Sequence, residues 1–337
     1  MNRTMAIGLA LALMLGAAGP AQGDPISGEG VRVQPLVGPA PDELFQTLLV
    51  SRALEDLGFS VERPTPMSYA EAHAALARGE GTFFAVHWDP LSSDFFEAHG
   101  GDRVFFRSGI FVPEALQGYL IDARTAREYR IERIDQLQDP AIRKLFDTDG
   151  DGKANLVGCA PGWSCEKVID HHLDVYDLRD HITHDKGDYE ERIGAVVRRK
   201  RRGKPVLYYG WTPHWASALL RPGADVVWLE VPFSALPGQR TGVDTTLVTG
   251  HNFGFALNNQ RIISRRDWVK QNPVAGRLFE VMTLPIEDIS AQNLRLHRGE
   301  RSPEAIDRHV DAWIAGNRAL FDSWLVKARA AKARPKR

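Results

Sequence analysis

Beyond its first two dozen residues the chain alternates short apolar runs with amphipathic stretches, and this alternation narrows the fold class more than any other feature. Val31 to Leu36 reads as an extended run. Pro41-Asp42-Glu43 then places proline and acids where a helix begins, and Val50, Ala53, Leu54 and Leu57 follow at helical spacing up to Gly58. Phe59 to Val61 reads as the next strand, Tyr69 to Ala77 as a helix, and Thr82 to His87 as a third strand running into Trp88-Asp89-Pro90. Such a βαβαβ opening implies an α/β fold with a parallel sheet covered by helices. Gly118 to Asp122 and Val226 to Val231 are further strand candidates, with a second set of elements between them. The economical organisation is a middle lobe inserted into a discontinuous first one. Residues 24–121 form the first part of lobe A, 122–230 form lobe B, and 231–337 form the second part of lobe A.

Residues 1–23 stand apart from this pattern. Arg3 is followed by an apolar stretch from Ala6 to Ala18 and by the small residues of Pro20-Ala21-Gln22-Gly23, the layout of a secretory signal peptide. A run of about thirteen apolar residues is too short for a helix to span a bilayer core of about 30 Å. The expectation is therefore a soluble, exported protein. With 42 Lys and Arg against 43 Asp and Glu, there is no global field to hold nucleic acid or an anionic membrane.

Export also bears on the two cysteines. Cys159 and Cys165 lie in Cys-Ala-Pro-Gly-Trp-Ser-Cys, a spacing that matches neither a Cys-x-x-Cys redox site nor a four-ligand zinc site. An oxidising compartment favours a disulfide between them, which would hold Trp163 and the neighbouring amides in one shape.

Two strands end alike, in His87-Trp88-Asp89-Pro90 and Gly210-Trp211-Thr212-Pro213. Ligands of open α/β sheets bind beyond the carboxyl ends of strands, and a proline after each Trp stops the strand there. Trp88, Trp163 and Trp211 are thus either core residues or the walls of an aromatic cage. A quaternary ammonium has no N–H to donate, so ring faces are its natural partners. A carboxylate on the same ligand would suit the amides of Ser164 and Cys165, and the two together describe a betaine.

At these residues the chain resembles a known family. Leu145-Phe146-Asp147-Thr148-Asp149-Gly150-Asp151-Gly152, Pro161-Gly162-Trp163-Ser164-Cys165-Glu166, Trp211-Thr212-Pro213 and Val231-Pro232-Phe233 are similar to the ProX-type periplasmic glycine betaine/proline betaine-binding proteins of osmoprotectant ABC importers. The resemblance runs from about Val31 to Trp324. It implies a two-lobed periplasmic binding protein fold, each lobe a sheet flanked by helices, with the ligand in the cleft. It further implies a monomer that delivers its ligand to a membrane permease. The family's three box tryptophans fall on Trp88, Trp163 and Trp211, and its carboxylate-binding amides fall on Ser164 and Cys165, the first usually a Gly. One position departs: the family's Trp-x-Pro-Leu-His reads Trp88-Asp89-Pro90-Leu91-Ser92 here. A neutral hydroxyl in place of an imidazole implies weaker glycine betaine binding, or a preference moved to a bulkier betaine or to choline.

Other motifs are read more plainly. Asp147 to Asn155 follows the start of a calcium loop, but position 12 is Gly158 rather than Glu, so a polar turn is expected. His171, His172, His181 and His184 lack metal-ligand spacing and read as surface histidines. Arg198 to Arg202 closes a helix that opens with Asp188, Glu190 and Glu191, which suits the helix dipole rather than a nucleic acid. The rival to a binding protein is an exported hydrolase; the chain has no Gly-x-Ser-x-Gly elbow or zinc signature for one, and no enzyme activity, metal or cofactor is expected.

Overall fold

The structure, a computed structural model, describes residues 28–38 and 42–331, and the expected leader lies outside the described residues. Two sheets organise it. The first has the order Thr65–Pro66, Pro35–Val37, Phe83–Asp89, Asn258–Arg265, Phe105–Phe106, with Val112–Ala115 also paired to Asn258–Arg265. Its first three strands are parallel, and Asn258–Arg265 runs antiparallel to Phe83–Asp89. The second has the order Ile182–Asp185, Ala154–Val157, Leu207–Trp211, Gln117–Asp122, Val226–Leu229, with the first three again parallel. Each sheet carries its own core, one centred on Leu49, Phe83, Phe279 and Trp324, the other on Tyr119, Leu156, Ile169 and Tyr209.

The helices that cover the sheets are set by local chemistry. Tyr69–Arg78 begins with a Ser68/Glu71 capping box and ends at Gly79, whose φ of 81° suits the left-handed cap. Tyr189–Arg201 is capped by the Asp188 carboxylate on the Glu191 amide, with acids in its first turn and Arg198, Arg199, Lys200 and Arg201 in its last, the arrangement its dipole favours. The C-terminal helices Ile286–His297, Pro303–Gly316 and Arg318–Arg329 pack back on the first lobe. Ile286–His297 also touches the second, where the His297 imidazole stacks on the Trp215 indole at 3.5 Å.

Two expectations change. The strand at Ser60–Val61 pairs with Arg32–Val33 in a separate two-stranded sheet, and Thr65–Pro66 takes the place beside Pro35–Val37. The lobe boundaries at 121/122 and 230/231 also move. Gln117–Asp122 pairs along its length with Leu207–Trp211, and Val231, Leu236 and Phe255 lie in the second core. The chain therefore crosses between lobes near residue 116 and returns near residue 257. Apolar runs mark a strand, but which sheet it joins is decided by partners distant in sequence.

Candidate functional site

Both crossings lie where the parallel strands end. Trp211, last in its strand, is opposite Gln117, the first residue after one crossing. Asp89 is opposite Asn259, which follows the other. The carboxyl ends of both parallel sets thus face the space between the lobes, the usual ligand position in α/β sheets. The Asp89–Pro90 and Thr212–Pro213 peptides at these two ends are both cis.

On the second lobe the structure brings Trp163 and Trp211 together, with ring centroids 5.8 Å apart at 72°. Tyr189 completes the wall, 4.7 Å from Trp211 and 5.9 Å from Trp163. It is buried, and its hydroxyl donates to the Tyr209 carbonyl at 2.9 Å. Trp163 is 43% exposed, a large apolar face turned to solvent at a strand-end cleft.

The loop that carries Trp163 is clamped at both ends. The Cys159–Cys165 disulfide closes it, with Cα atoms 5.8 Å apart. At its start the Cys159 amide donates to His184 Nε2 at 3.2 Å, and His184 Nδ1 meets Asp170 at 2.8 Å. A carboxylate partner on Nδ1 fixes the tautomer, so Nε2 carries the lone pair that the amide needs. At its far side the Gly162 amide donates to Glu166 at 2.7 Å, and Lys186 joins Glu166 and Asp170 at 2.9 and 2.7 Å. The Gly162 amide and then the Lys186 ammonium hold the Glu166 carboxyl below its ordinary range. Burial pushes Asp170 up, but hydrogen bonds from Lys186 and His184 outweigh it and its carboxyl is lowered. Burial also lowers His184, against the pull of Asp170, which keeps the ring neutral at pH 7.

Two glycines make this loop possible. A Cβ on Gly158 would overlap the His184 ring, and Gly162 sits at φ 83°. Trp163 is then the N-cap of the helix Ser164–Val175 and offers no side-chain acceptor to its first amides. The Cys165 N–H makes no hydrogen bond among the described residues. First-turn amides without a cap, at the positive end of a helix, are ready to receive an anion.

Trp88 stands on the other lobe. It is half-buried against the first core and makes no ring contact with Trp163 or Trp211. Behind it Asp89 binds Arg107 at 3.2 Å and Arg261 at 2.6 Å, fastening the strand end. Ser92 is 7% exposed, and its amide donates to the Trp88 carbonyl at 2.7 Å. Its hydroxyl does not cap the helix it precedes. His87 points to the opposite face, as alternation requires: its Nδ1 is 3.0 Å from His73 Nε2, and His73 Nδ1 donates to the Tyr69 carbonyl at 2.7 Å.

The surface reading of the histidines is corrected in part. His172 is fully buried, with Nδ1 2.8 Å from the Tyr119 hydroxyl, and burial pushes its pKa down to about 3. The His184 side chain is only 3% exposed. Tyr119 reaches His172 from fifty-three residues away and Asp170 reaches His184 from fourteen, so the immediate sequence neighbours of each histidine do not signal its burial. Tyr189, Asp170 and Lys186 carry no local motif either. In the Asp147 loop the three carboxylates lie within 4.8 Å of one another. They are engaged by the loop itself, Asp147 accepting the Gly150 and Gly152 amides and Asp151 that of Lys153.

Two sheet-and-helix lobes joined by two crossings, with a cleft at their strand ends, define the two-lobed fold of the periplasmic binding proteins. The chain belongs to the family described as the substrate binding domain of ABC-type glycine betaine transport systems, which its residues 37–316 match. The glycine betaine-binding periplasmic protein OusX of Dickeya dadantii is 50% identical over 308 residues, 91% of this chain and 93% of that one. The glycine betaine/proline betaine-binding periplasmic protein of Escherichia coli K12 is 49% identical over 307 residues, with the same coverage of 91% and 93%. Among solved structures, lactococcal OpuAC in a closed complex with glycine betaine has a TM-score of 0.60 at 20% identity, covering 88% of this chain and 99% of that one. An ABC-transporter choline binding protein with choline has a TM-score of 0.60 at 16% identity, covering 88% and 96%. These two likenesses show the fold. Among the described residues no helix is long and apolar enough to cross a membrane.

Proposed function

We propose that the protein is a periplasmic solute-binding protein that captures glycine betaine or proline betaine between its lobes and delivers it to the membrane permease of an ABC importer. The observation that carries this reading is one loop that pairs an exposed indole with an uncapped helix start. Trp163 faces Trp211 at 5.8 Å, and Ser164 and Cys165 follow it at an uncapped helix start. The quaternary ammonium packs on the rings of Trp163 and Trp211, each contact contributing about 0.5–2 kcal/mol. Trp88 closes the box from the other lobe when the lobes approach. The carboxylate accepts hydrogen bonds from the Ser164 and Cys165 amides, with the Ser92 hydroxyl as a neutral donor.

Relatives near 50% identity whose names carry glycine betaine binding and the periplasm support this ligand class and location. The protein acts as a monomer, without metal or cofactor, and performs no chemistry on its ligand. Calorimetric titration of the mature protein with glycine betaine, proline betaine and choline tests the reading. One equivalent of a betaine binds and is recovered unchanged. Binding of choline alone would move the substrate, and a changed product would make the protein an enzyme.

A further inference from the structure

A second feature of the cleft includes Cys165. A cavity between the lobes is lined by Pro90, Leu91 and Asn258 on one side and by Cys165, Phe255 and Arg240 on the other. Among its described lining residues Arg240 is the one cation, and none is Asp or Glu. The guanidinium has no hydrogen bond or ion pair among the described residues. By contrast Arg107 and Arg261, nearby on the first lobe, are both bound to Asp89. Arg240 ends the short turn Gly238–Arg240, and its carbonyl accepts the Val243 amide at 3.0 Å, so the backbone that presents the cation is tied down.

A cationic residue and Cys165, whose amide lacks an acceptor, line one cavity with no acid among its described lining residues, and that combination suits an anion on the ligand. Ser92, next in the chain after Leu91, does not line the cavity and has only a neutral hydroxyl to offer. We propose that Arg240 is the cation that receives the carboxylate of the ligand, alongside the Cys165 amide, and that it selects carboxylate-bearing quaternary ammoniums over choline. The inference rests on the binding function proposed above and deepens it. Arg suits the task because its planar fork offers two parallel N–H donors to one carboxylate.

The test is calorimetric titration of the full mature protein and its Arg240→Gln and Arg240→Glu variants with glycine betaine, with the melting temperature of each ligand-free protein measured alongside. Arg240→Gln weakens binding by about ten-fold or more, the size of a lost charge-assisted hydrogen bond, and Arg240→Glu weakens it further. The melting temperatures stay together, and any choline binding is not weakened in either variant. Binding by Arg240→Gln as tight as wild type overturns the inference. Equal weakening by Gln and Glu, or choline binding that weakens in step with betaine, also overturns it and assigns Arg240 to the fold. Failure of the wild-type protein to bind either glycine betaine or proline betaine overturns the functional reading itself, a distinct result.

Discussion

Replacing Gly158 by Ala tests whether the His184 clamp sets the binding loop. A Cβ at this position would overlap the His184 ring. The ring cannot swing aside without loss, because one nitrogen takes the Cys159 amide at 3.2 Å and the other meets Asp170 at 2.8 Å. The first bond contributes about 1 kcal/mol and the second, to a carboxylate, about 1.5–3 kcal/mol, so displacement costs about 2.5–4 kcal/mol. His184→Ala removes the same two bonds by another route. The two changes therefore do not add: the double variant is about as stable as His184→Ala alone, because the three atoms that crowd the new methyl most all belong to the ring. Denaturant unfolding of the four proteins reads the stabilities, and betaine titration reads the loop, which loosens alike in both single variants. A double variant that loses the sum of the two singles would refute this reasoning. So would a neutral Gly158→Ala.

Three further outcomes follow from the same geometry. Burial holds both His87 and His172 down at about 3 from an ordinary 6.5. Below pH 6.5 the unfolded chain takes up protons that the native protein refuses. Each site then removes about 1.4 kcal/mol of stability per pH unit, about 5 kcal/mol together by pH 4.5. Unfolding free energies at pH 7 and 4.5 check this, and a flat profile contradicts it. Trp88→Ala, Trp163→Ala and Trp211→Ala each weaken betaine binding by a few-fold to about thirty-fold with the circular dichroism unchanged; normal binding by all three would remove the cage. Ser92→His tightens glycine betaine binding by adding a donor that can carry charge, and an unchanged titration would show that another group holds the carboxylate.

The parts of this account that were legible in the sequence rest on local chemistry. Alternating periods reveal the α/β class, and a proline after each Trp marks where the strands carrying Trp88 and Trp211 stop. A short loop between two cysteines, in a chain whose leader reads as a secretory signal, points to the disulfide. What stayed hidden depends on contacts distant in sequence. Gln117–Asp122 looks like any apolar strand until it pairs with Leu207–Trp211. The burial of His172 depends on Tyr119, fifty-three residues away, and the clamp on Cys159 comes from His184, twenty-five residues on. Tyr189 follows a helix cap and bears no mark of the cleft wall it joins beside Trp211. Arg240 lies in a polar turn whose place between the lobes appears only in the folded chain.

The central claim is that one loop and three tryptophans hold a betaine between the lobes. The most direct test is a crystal structure of the mature protein with glycine betaine. The account predicts closed lobes, the ammonium methyls against Trp88, Trp163 and Trp211, and the carboxylate within hydrogen-bond distance of the Ser164 and Cys165 amides. An ammonium lodged away from these indoles, or a carboxylate pointing out of the helix start at Ser164, would contradict it.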